Sequence, residues 1–282
     1  MQEDIKVYSP ESEMLKPKNM FSNMLKDVSA GKDLALRLAK RDIKAQYRQS
    51  FLGIIWAILI PLANTVIWIF LQGSGIIKVS DTGLPYAIYV FTGTMLWQVF
   101  VESIQAPITE MNMAKNLLSK LNFPREAILL SGIYKILFNS AIKLVLIVIG
   151  ILVMGVTPSL SFIVFPIIIL MIILVGFTIG LFLTPIGTLY TDIGRAIPIG
   201  AQLLMFFSPV VFAIPTEGVT SLIFKYNFMT PLLMTARNSI KGDVFEFVGP
   251  LSWVLGISMV IFFISWLIFR VTIPVLVERM NA

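Results

Sequence analysis

The chain has 282 residues, of which 57% are hydrophobic and only 13% are charged, and its mean hydropathy is +0.86. A soluble domain carries roughly 25% charged residues, so this chain has too little polar surface to cover a water-soluble globule. It contains no cysteine and no histidine, which excludes a disulfide framework, a thiolate metal site and the commonest general base. The composition therefore indicates a membrane protein and argues against an enzyme.

Six apolar runs approach the roughly 20 residues that a helix needs to cross a bilayer. They cover residues 51–71, 84–101, about 125–156, 162–189, 196–214 and 247–269. Because Lys and Arg collect on the cytoplasmic side, the flanking segments also predict the orientation. With the N-terminus inside, the cytoplasmic segments hold sixteen Lys and Arg, and the external segments hold four. We predict an all-α polytopic membrane protein with six transmembrane helices and both termini in the cytoplasm.

Residues 1–50 form a region of their own before the first span. They carry ten Lys or Arg and seven Asp or Glu without a long apolar run, which predicts a cytoplasmic segment and not a secretory signal. Its last part has two stripes at helical spacing, one basic (Arg37, Arg41, Lys44, Arg48) and one apolar (Leu36, Ala39, Ile43, Tyr47). Such an amphipathic helix is expected to lie flat at the inner leaflet. The alternative is a solvated, charged helix.

The last external segment, residues 215–246, is too long for a tight turn. Its apolar pieces, 219–224 and 228–234, are too short to cross a bilayer. Prolines at positions 209, 215 and 231 precede or interrupt these apolar pieces. This pattern predicts re-entrant or interfacial half-helices between spans five and six, which are tolerated only beside protein or water.

The motifs that would carry enzymatic chemistry are missing. No G-x-x-x-x-G-K-S/T sequence occurs, so the chain has no P-loop for ATP phosphates. Only Glu102, Lys135 and Lys143 are ionisable inside the apolar runs, and no zinc spacing or nucleophile–base pair can be nominated. The sequence predicts a conduit without a catalytic, cofactor or metal site of its own.

The third span carries the most informative polar pattern. Its polar residues at four-residue spacing are Ser131, Lys135, Asn139 and Lys143, which share one helical face. A charge in the bilayer normally faces a partner or an aqueous cavity. One interpretation is a cationic stripe that contacts an anionic, lipid-linked head group, because one nearby acid, Glu102, does not neutralise two lysines. The other is that Lys135 snorkels to the head groups or that either lysine pairs with Glu102.

Three stretches resemble the membrane subunits of ABC exporters for O-antigen, capsule and teichoic-acid polymers. The first runs from Arg41-Asp42-Ile43-Lys44 through Tyr47-Arg48 and Leu52-Gly53 to Trp56 and Pro61. The second is the segment 116–125, which ends in Phe-Pro-Arg, and the third is Tyr190-Thr191-Asp192-Ile193-Gly194-Arg195. The resemblance covers nearly the whole chain after about residue 30. Asn227-Phe228 departs from the Asn-Pro pair that is usual in this family.

The resemblance implies a homodimeric permease in the bacterial cytoplasmic membrane, with two copies of a separate ATPase that holds ATP and magnesium. Residues 51–282 would be the permease domain, and residues 109–122 would be the coupling helix on the loop of about 109–124. The coupling residues would be Met111, Lys115, Asn116, Leu117 and Leu118. The expected cargo is a polyprenyl-diphosphate-linked glycan, and no nucleic acid is expected.

A diphosphate is best bound by guanidinium groups. We therefore expect Arg41 and Arg48 to contact the head group, with inner-leaflet lipid as the alternative ligand. Lys135, Asn139 and Lys143 complete the expected substrate-binding set. The alternative functions are an ion-coupled secondary carrier, a membrane glycosyl- or acyltransferase, and a permease for capsule or teichoic acid.

Overall fold

A computed structural model describes residues 17–48, 53–77, 82–118, 124–215 and 217–281, with backbone alone at 17–20, 47, 54, 116 and 274–281. Within these ranges the chain is all-α and contains no strand. Its helices are α1 (Pro17–Arg48), α2 (Trp56–Gly73), α3 (Tyr86–Leu118), α4 (Glu126–Val153), α5 (Phe165–Leu189), α6 (Thr191–Phe206), α7 (Gly218–Tyr226), α8 (Met229–Lys241) and α9 (Val248–Asn281). Short 3-10 turns precede α2, α5 and α9.

Five stretches in the described part of the chain are long and apolar enough to cross a membrane. They are Trp56–Gly73, Tyr86–Lys115, Glu126–Val153, Leu160–Leu189 and Val244–Ile273. They correspond to predicted spans one to four and six. The predicted fifth span, 196–214, instead gives the 16-residue α6 followed by turns, which is shorter than the roughly 20 residues of a typical span. The protein is therefore a multi-pass membrane protein.

The long helix α1 packs along α4 through one narrow stripe. The stripe consists of residues at three- and four-residue spacing, all buried: Met24, Asp27, Gly31, Ala35 and Ala39. Of the predicted apolar stripe, Ala39 is buried, but Leu36 is 42% exposed. The predicted basic stripe is exposed along its whole length. Small side chains on α1 allow this close approach, since a methyl group at Gly31 would meet the Cβ of Ala127 at 3.0 Å.

A buried ion cluster ties three helices together. Arg270 of α9 donates to Asp27 of α1 at 2.8 Å and to Glu126 of α4 at 2.5 Å. All three side chains are about 6% exposed. A buried charge is tolerated when it is paired in this way, so the cluster fixes α1 against both α4 and α9.

Helices α3 and α5 form the tightest pair in the core. Gly176 and Gly180 lie four residues apart on α5 and face the backbone of α3, a small-residue spacing that lets membrane helices approach closely. A methyl group on Gly180 would collide with the carbonyl of Ile104, and one on Gly176 would lie 2.8 Å from the carbonyl oxygen of Phe100. Bulkier residues at these positions would force the two helices apart.

The second predicted span and the coupling segment are not separate elements. We expected a span ending near residue 101 and a separate short helix from 109, but α3 continues unbroken for 33 residues from Tyr86 to Leu118 and includes Pro107. Residues 119–122 of the predicted coupling helix lie outside the described residues. The coupling segment is therefore the end of a core helix.

The segment 215–246, which we predict to be external, contains two short helices. Helix α7 has 9 residues and α8 has 13, so neither could cross a bilayer. Every residue of α8 from Met229 to Ile240 is buried except Met234, which is half-buried. Its most buried charge is Arg237, which donates to the carbonyls of Tyr89, Pro209 and Val210. This side chain joins α8 to α3 and to the turns after α6.

Candidate functional site

A polar groove lies between the end of α1, the start of α2, and helices α3 and α4. It consists of two cavities of about 490 and 390 Å³. Both are lined by Gln46, Glu102 and Asn139, so they adjoin and form one groove. Volumes of about 300–1,000 Å³ are typical of small-molecule sites.

The structure brings three of the four predicted polar residues of α4 into this groove. Lys143 lines the larger cavity, Lys135 lines the smaller one, and Asn139 lines both. Ser131 is buried and is not among the described lining residues, and its hydroxyl has no hydrogen-bond partner in the described structure. The four-residue spacing thus identified the groove face of α4.

Each lysine has a carboxylate partner. Lys143 Nζ lies 2.7–2.8 Å from both oxygens of Glu102. Lys135 Nζ lies 3.0 Å from Asp42 Oδ2 and also pairs with Glu110. The premise that Glu102 is the one acid near the two lysines is therefore wrong, because α1 contributes Asp42 and α3 contributes Glu110.

Asp42 of α1 lies between two cations, Arg41 of the same helix and Lys135 of α4. Burial raises the pKa of Asp42, but hydrogen bonds from Arg41 and Lys135 outweigh burial and hold that pKa below its ordinary value. Its carboxylate is therefore ionised at neutral pH. Arg41 contacts the other oxygen at 2.8 Å and keeps 57% of its side chain exposed, so the guanidinium lies exposed beside a residue that lines the groove.

Four amide side chains line the groove: Gln46, Gln98, Gln105 and Asn139. None of them has a hydrogen-bond partner within the described ranges. Two tryptophans complete the larger cavity: Trp56, which is 49% exposed, and Trp97, which is 5% exposed. The two glutamines of α3 were not predicted as site residues, although Gln98, Glu102 and Gln105 share a face at helical spacing.

Arg48 and Arg41 occupy different places. Arg48 ends α1, is exposed, and is absent from the described lining of both cavities. Arg41 lines a small crevice beside the groove with Asp42, Glu110 and Leu117. The structure thus brings Arg41, but not Arg48, close to Lys135, because both pair with Asp42.

The predicted coupling residues lie at the cytoplasmic end of α3 in the predicted orientation. Met111 is 1% exposed and packs in the core, whereas its neighbour Met113 is 55% exposed. Lys115 donates to the carbonyl of Thr188, near the end of α5, at 3.0 Å. Leu117 and Leu118 are half-buried, and for Asn116 the structure describes the backbone alone.

The fold and the groove define a multi-pass membrane protein with a polar site inside its helix bundle, as expected of a membrane transporter. Residues 34–240 match the family described as ABC-2 type transporter. The chain belongs to this family, whose membership implies partnership with an ABC ATPase.

Curated relatives agree with this family. The chain is 25% identical over 240 residues to the O-antigen export system permease protein RfbA of Klebsiella pneumoniae, covering 80% of this chain and 90% of that protein. It is 22% identical over 250 residues to the protein of the same name from Myxococcus xanthus, covering 88% and 95% of the two chains. The similarity therefore extends over nearly the whole length of these permeases.

Proposed function

We propose that this protein is the permease subunit of an ATP-driven exporter that moves a polyprenyl-diphosphate-linked, O-antigen-type polysaccharide across the bacterial cytoplasmic membrane. The observation that carries the proposal is the near full-length similarity to O-antigen export permeases. The groove supports it, since its amide side chains without a partner in the described structure favour a hydrogen-bonding cargo.

The proposed topology has six spans with both termini in the cytoplasm. Helix α6 and the turns after it make the fifth crossing, α7 and α8 form the re-entrant external segment, and α1 lies at the inner leaflet. The positive charge of the predicted cytoplasmic segments supports this arrangement. The exposed basic stripe of α1 supports contact with anionic head groups.

The proposed assembly is a homodimer with two copies of a separate ATPase. ATP and magnesium would bind to that partner, because this sequence has no P-loop. The coupling surface is the cytoplasmic end of α3, where Met113 is exposed and Lys115 contacts Thr188. Motion of the ATPase would reach the core through this helix end.

The proposed substrate contacts divide between two places. The exposed guanidinium groups of Arg41 and Arg48 would bind the diphosphate, as forked donors suit its oxygens. Lys135, Asn139 and Lys143 would contact the part of the substrate that enters the groove. In this arrangement Arg41 lies next to the groove through its contact with Asp42.

The test is reconstitution of this chain in liposomes with and without an ABC ATPase that co-purifies with it. We expect transport of the lipid-linked glycan with the ATPase and ATP, and none with this chain alone. Uphill transport by this chain alone under an ion gradient would instead establish a secondary carrier. Transport that requires the ATPase but moves only capsule or teichoic-acid polymers would retain the exporter and change its cargo.

A further inference from the structure

We infer that the groove binds uncharged sugar rings of the cargo next to its diphosphate, through the amides of Gln98, Gln105 and Asn139. This inference rests on the proposed function and deepens it. It assigns to the groove a ligand chemistry that differs from the anionic head group expected from the lysines of α4.

The charge balance of the groove disfavours an anion. The cations among its described lining residues are Lys135 and Lys143, and both are paired with carboxylates. Three acids line the same groove: Asp42, Glu102 and Glu110. A diphosphate would have to displace a carboxylate from a lysine and would then lie beside that carboxylate. The groove therefore favours a neutral ligand.

The hydrogen-bonding groups of the groove match hydroxyl groups. A primary amide offers two donors and an acceptor, and the three amides have no partner in the described part of the structure. All three side chains are half-buried, so a ligand in the groove can reach their donors and acceptors. Glu102, with 39% of its side chain exposed, keeps lone pairs available for a further hydroxyl donor.

The tryptophans provide the apolar part of such a site. Trp56 and Trp97 line the larger cavity together with Gln98 and Asn139. Ligand sites combine apolar and aromatic walls with a few placed polar groups, and the C–H faces of a sugar ring pack against flat aromatic surfaces. The position also fits, because Arg41, exposed beside the groove, would hold the diphosphate while the first sugars enter the groove.

The test uses the purified complex of this chain with its ATPase and measures stimulation of ATP hydrolysis by two lipids. One is polyprenyl diphosphate without sugar. The other is the same lipid bearing the cell's own glycan, isolated from a strain that lacks the exporter. The variants are Gln98→Leu, Gln105→Leu and Asn139→Leu, with Gln72→Leu as a matched control, because Gln72 is an exposed amide of α2 outside the groove.

We expect the groove variants to need about tenfold more glycan-bearing lipid for half-maximal stimulation, a change of about 1.4 kcal/mol. Their response to the sugar-free lipid should equal that of the wild type, as should both responses of Gln72→Leu. Equal weakening for both lipids, or no weakening for either, would overturn the inference. At any position where the leucine variant lowers the yield of the complex, an alanine variant is used instead. Each alanine variant is first checked to form a monodisperse complex.

Failure of the proposed function gives a different result. If the wild-type complex is stimulated by neither lipid, the cargo is not a lipid-linked glycan, and the proposed function falls together with the inference. If the wild type responds to the glycan-bearing lipid but the groove variants respond equally well, only the assignment of the groove falls. The response of the wild-type complex therefore distinguishes failure of the proposed function from failure of the groove assignment alone.

Discussion

The guanidinium of Arg237 lies 3.4 Å from the centre of the Tyr89 ring and donates to the Tyr89 carbonyl at 2.8 Å. The same side chain donates to the carbonyls of Pro209 and Val210, and the Tyr89 hydroxyl donates to the carbonyl of Phe212 at 2.9 Å. These bonds satisfy the backbone of the turns that follow α6. A single arginine thereby holds α8 and the turns after α6 against α3.

Replacing Arg237 should destabilise the fold. In Arg237→Met the Val210 carbonyl loses its side-chain donor, whereas the carbonyls of Tyr89 and Pro209 keep weaker bonds from the hydroxyls of Thr92 and Tyr89. An unsatisfied buried group costs about 1–3 kcal/mol. Arg237→Lys should be intermediate, because it keeps the charge but not the fork of donors. The measurement is the thermal midpoint of the detergent-solubilised protein. Lys225→Met, at an exposed position of α7, is the control, and an unchanged midpoint for Arg237→Met would contradict the assigned role.

The Arg270 cluster should behave as a unit. Arg270→Met leaves the carboxylates of Asp27 and Glu126 buried without their shared cation, and breaking a buried pair in this way costs about 3–5 kcal/mol. We expect the triple variant Asp27→Asn, Glu126→Gln, Arg270→Met to be more stable than Arg270→Met alone. Thermal unfolding followed by size exclusion measures both. Arg195→Met removes an exposed pair with Asp192 and should have little effect on stability. A triple variant that is no more stable than Arg270→Met would contradict the coupling.

A methyl group on Gly180 should disrupt the α3–α5 pair. Gly180→Ala places a Cβ against the carbonyl of Ile104, so the helices must separate. Gly256→Ala is the matched control, since nothing lies within 4 Å of a Cβ at that position of α9, and alanine has the higher helix propensity by about 1 kcal/mol. We expect a lower thermal midpoint for Gly180→Ala only. Equal midpoints for the two variants would show that the packing there is loose.

Lys115 should matter for coupling more than for folding. Lys115→Met removes the hydrogen bond to Thr188 near the end of α5, where a cation also interacts favourably with the helix dipole. If the cytoplasmic end of α3 receives the motion of the ATPase, transport per ATP hydrolysed should fall several-fold while the thermal midpoint changes little. Lys26→Met, on the exposed side of α1, is the control. If Lys115→Met transports as much per ATP hydrolysed as the wild type, the contact with Thr188 has no role in coupling.

Removing either lysine of the groove should impair export. Lys135→Ala removes the cation that Glu110 and Asp42 share and leaves Asp42 with Arg41 alone. Lys143→Ala removes the cation that pairs with Glu102. Both variants should lower transport and ATPase stimulation by the lipid-linked glycan. Lys241→Ala, at an exposed position, provides the comparison. Wild-type transport and stimulation in both groove variants would exclude a role for these lysines in substrate contact.

The apolar runs predicted most of the membrane-crossing helices, because length and hydropathy alone decide whether a helix suits the bilayer. Spacing on α4 also predicted the face that lines the groove. The partners of the lysines could not be predicted, since Asp42 and Glu110 reach Lys135 only after α1 and α3 have packed against α4.

Two other features could not be predicted from the sequence, for related reasons. The charge of Arg237 suggests an exposed position, and only the tertiary fold supplies the carbonyls that allow its burial. The change from apolar to polar residues near position 101 suggests the end of a helix at the membrane surface. In the structure the polar residues that follow face the groove, so α3 continues to Leu118.

The continuity of α3 has a mechanical consequence. At 1.5 Å per residue, 33 helical residues make a rod about 50 Å long. Tyr89 stands near one end and Lys115 near the other, with Gly176 and Gly180 of α5 bracing the middle. Pro107 removes one backbone hydrogen bond close to the Lys115 end, which makes it the natural pivot. The short segment that carries Lys115 can therefore tilt at Pro107 and move the end of α5 with it, while the braced middle of α3 stays in place.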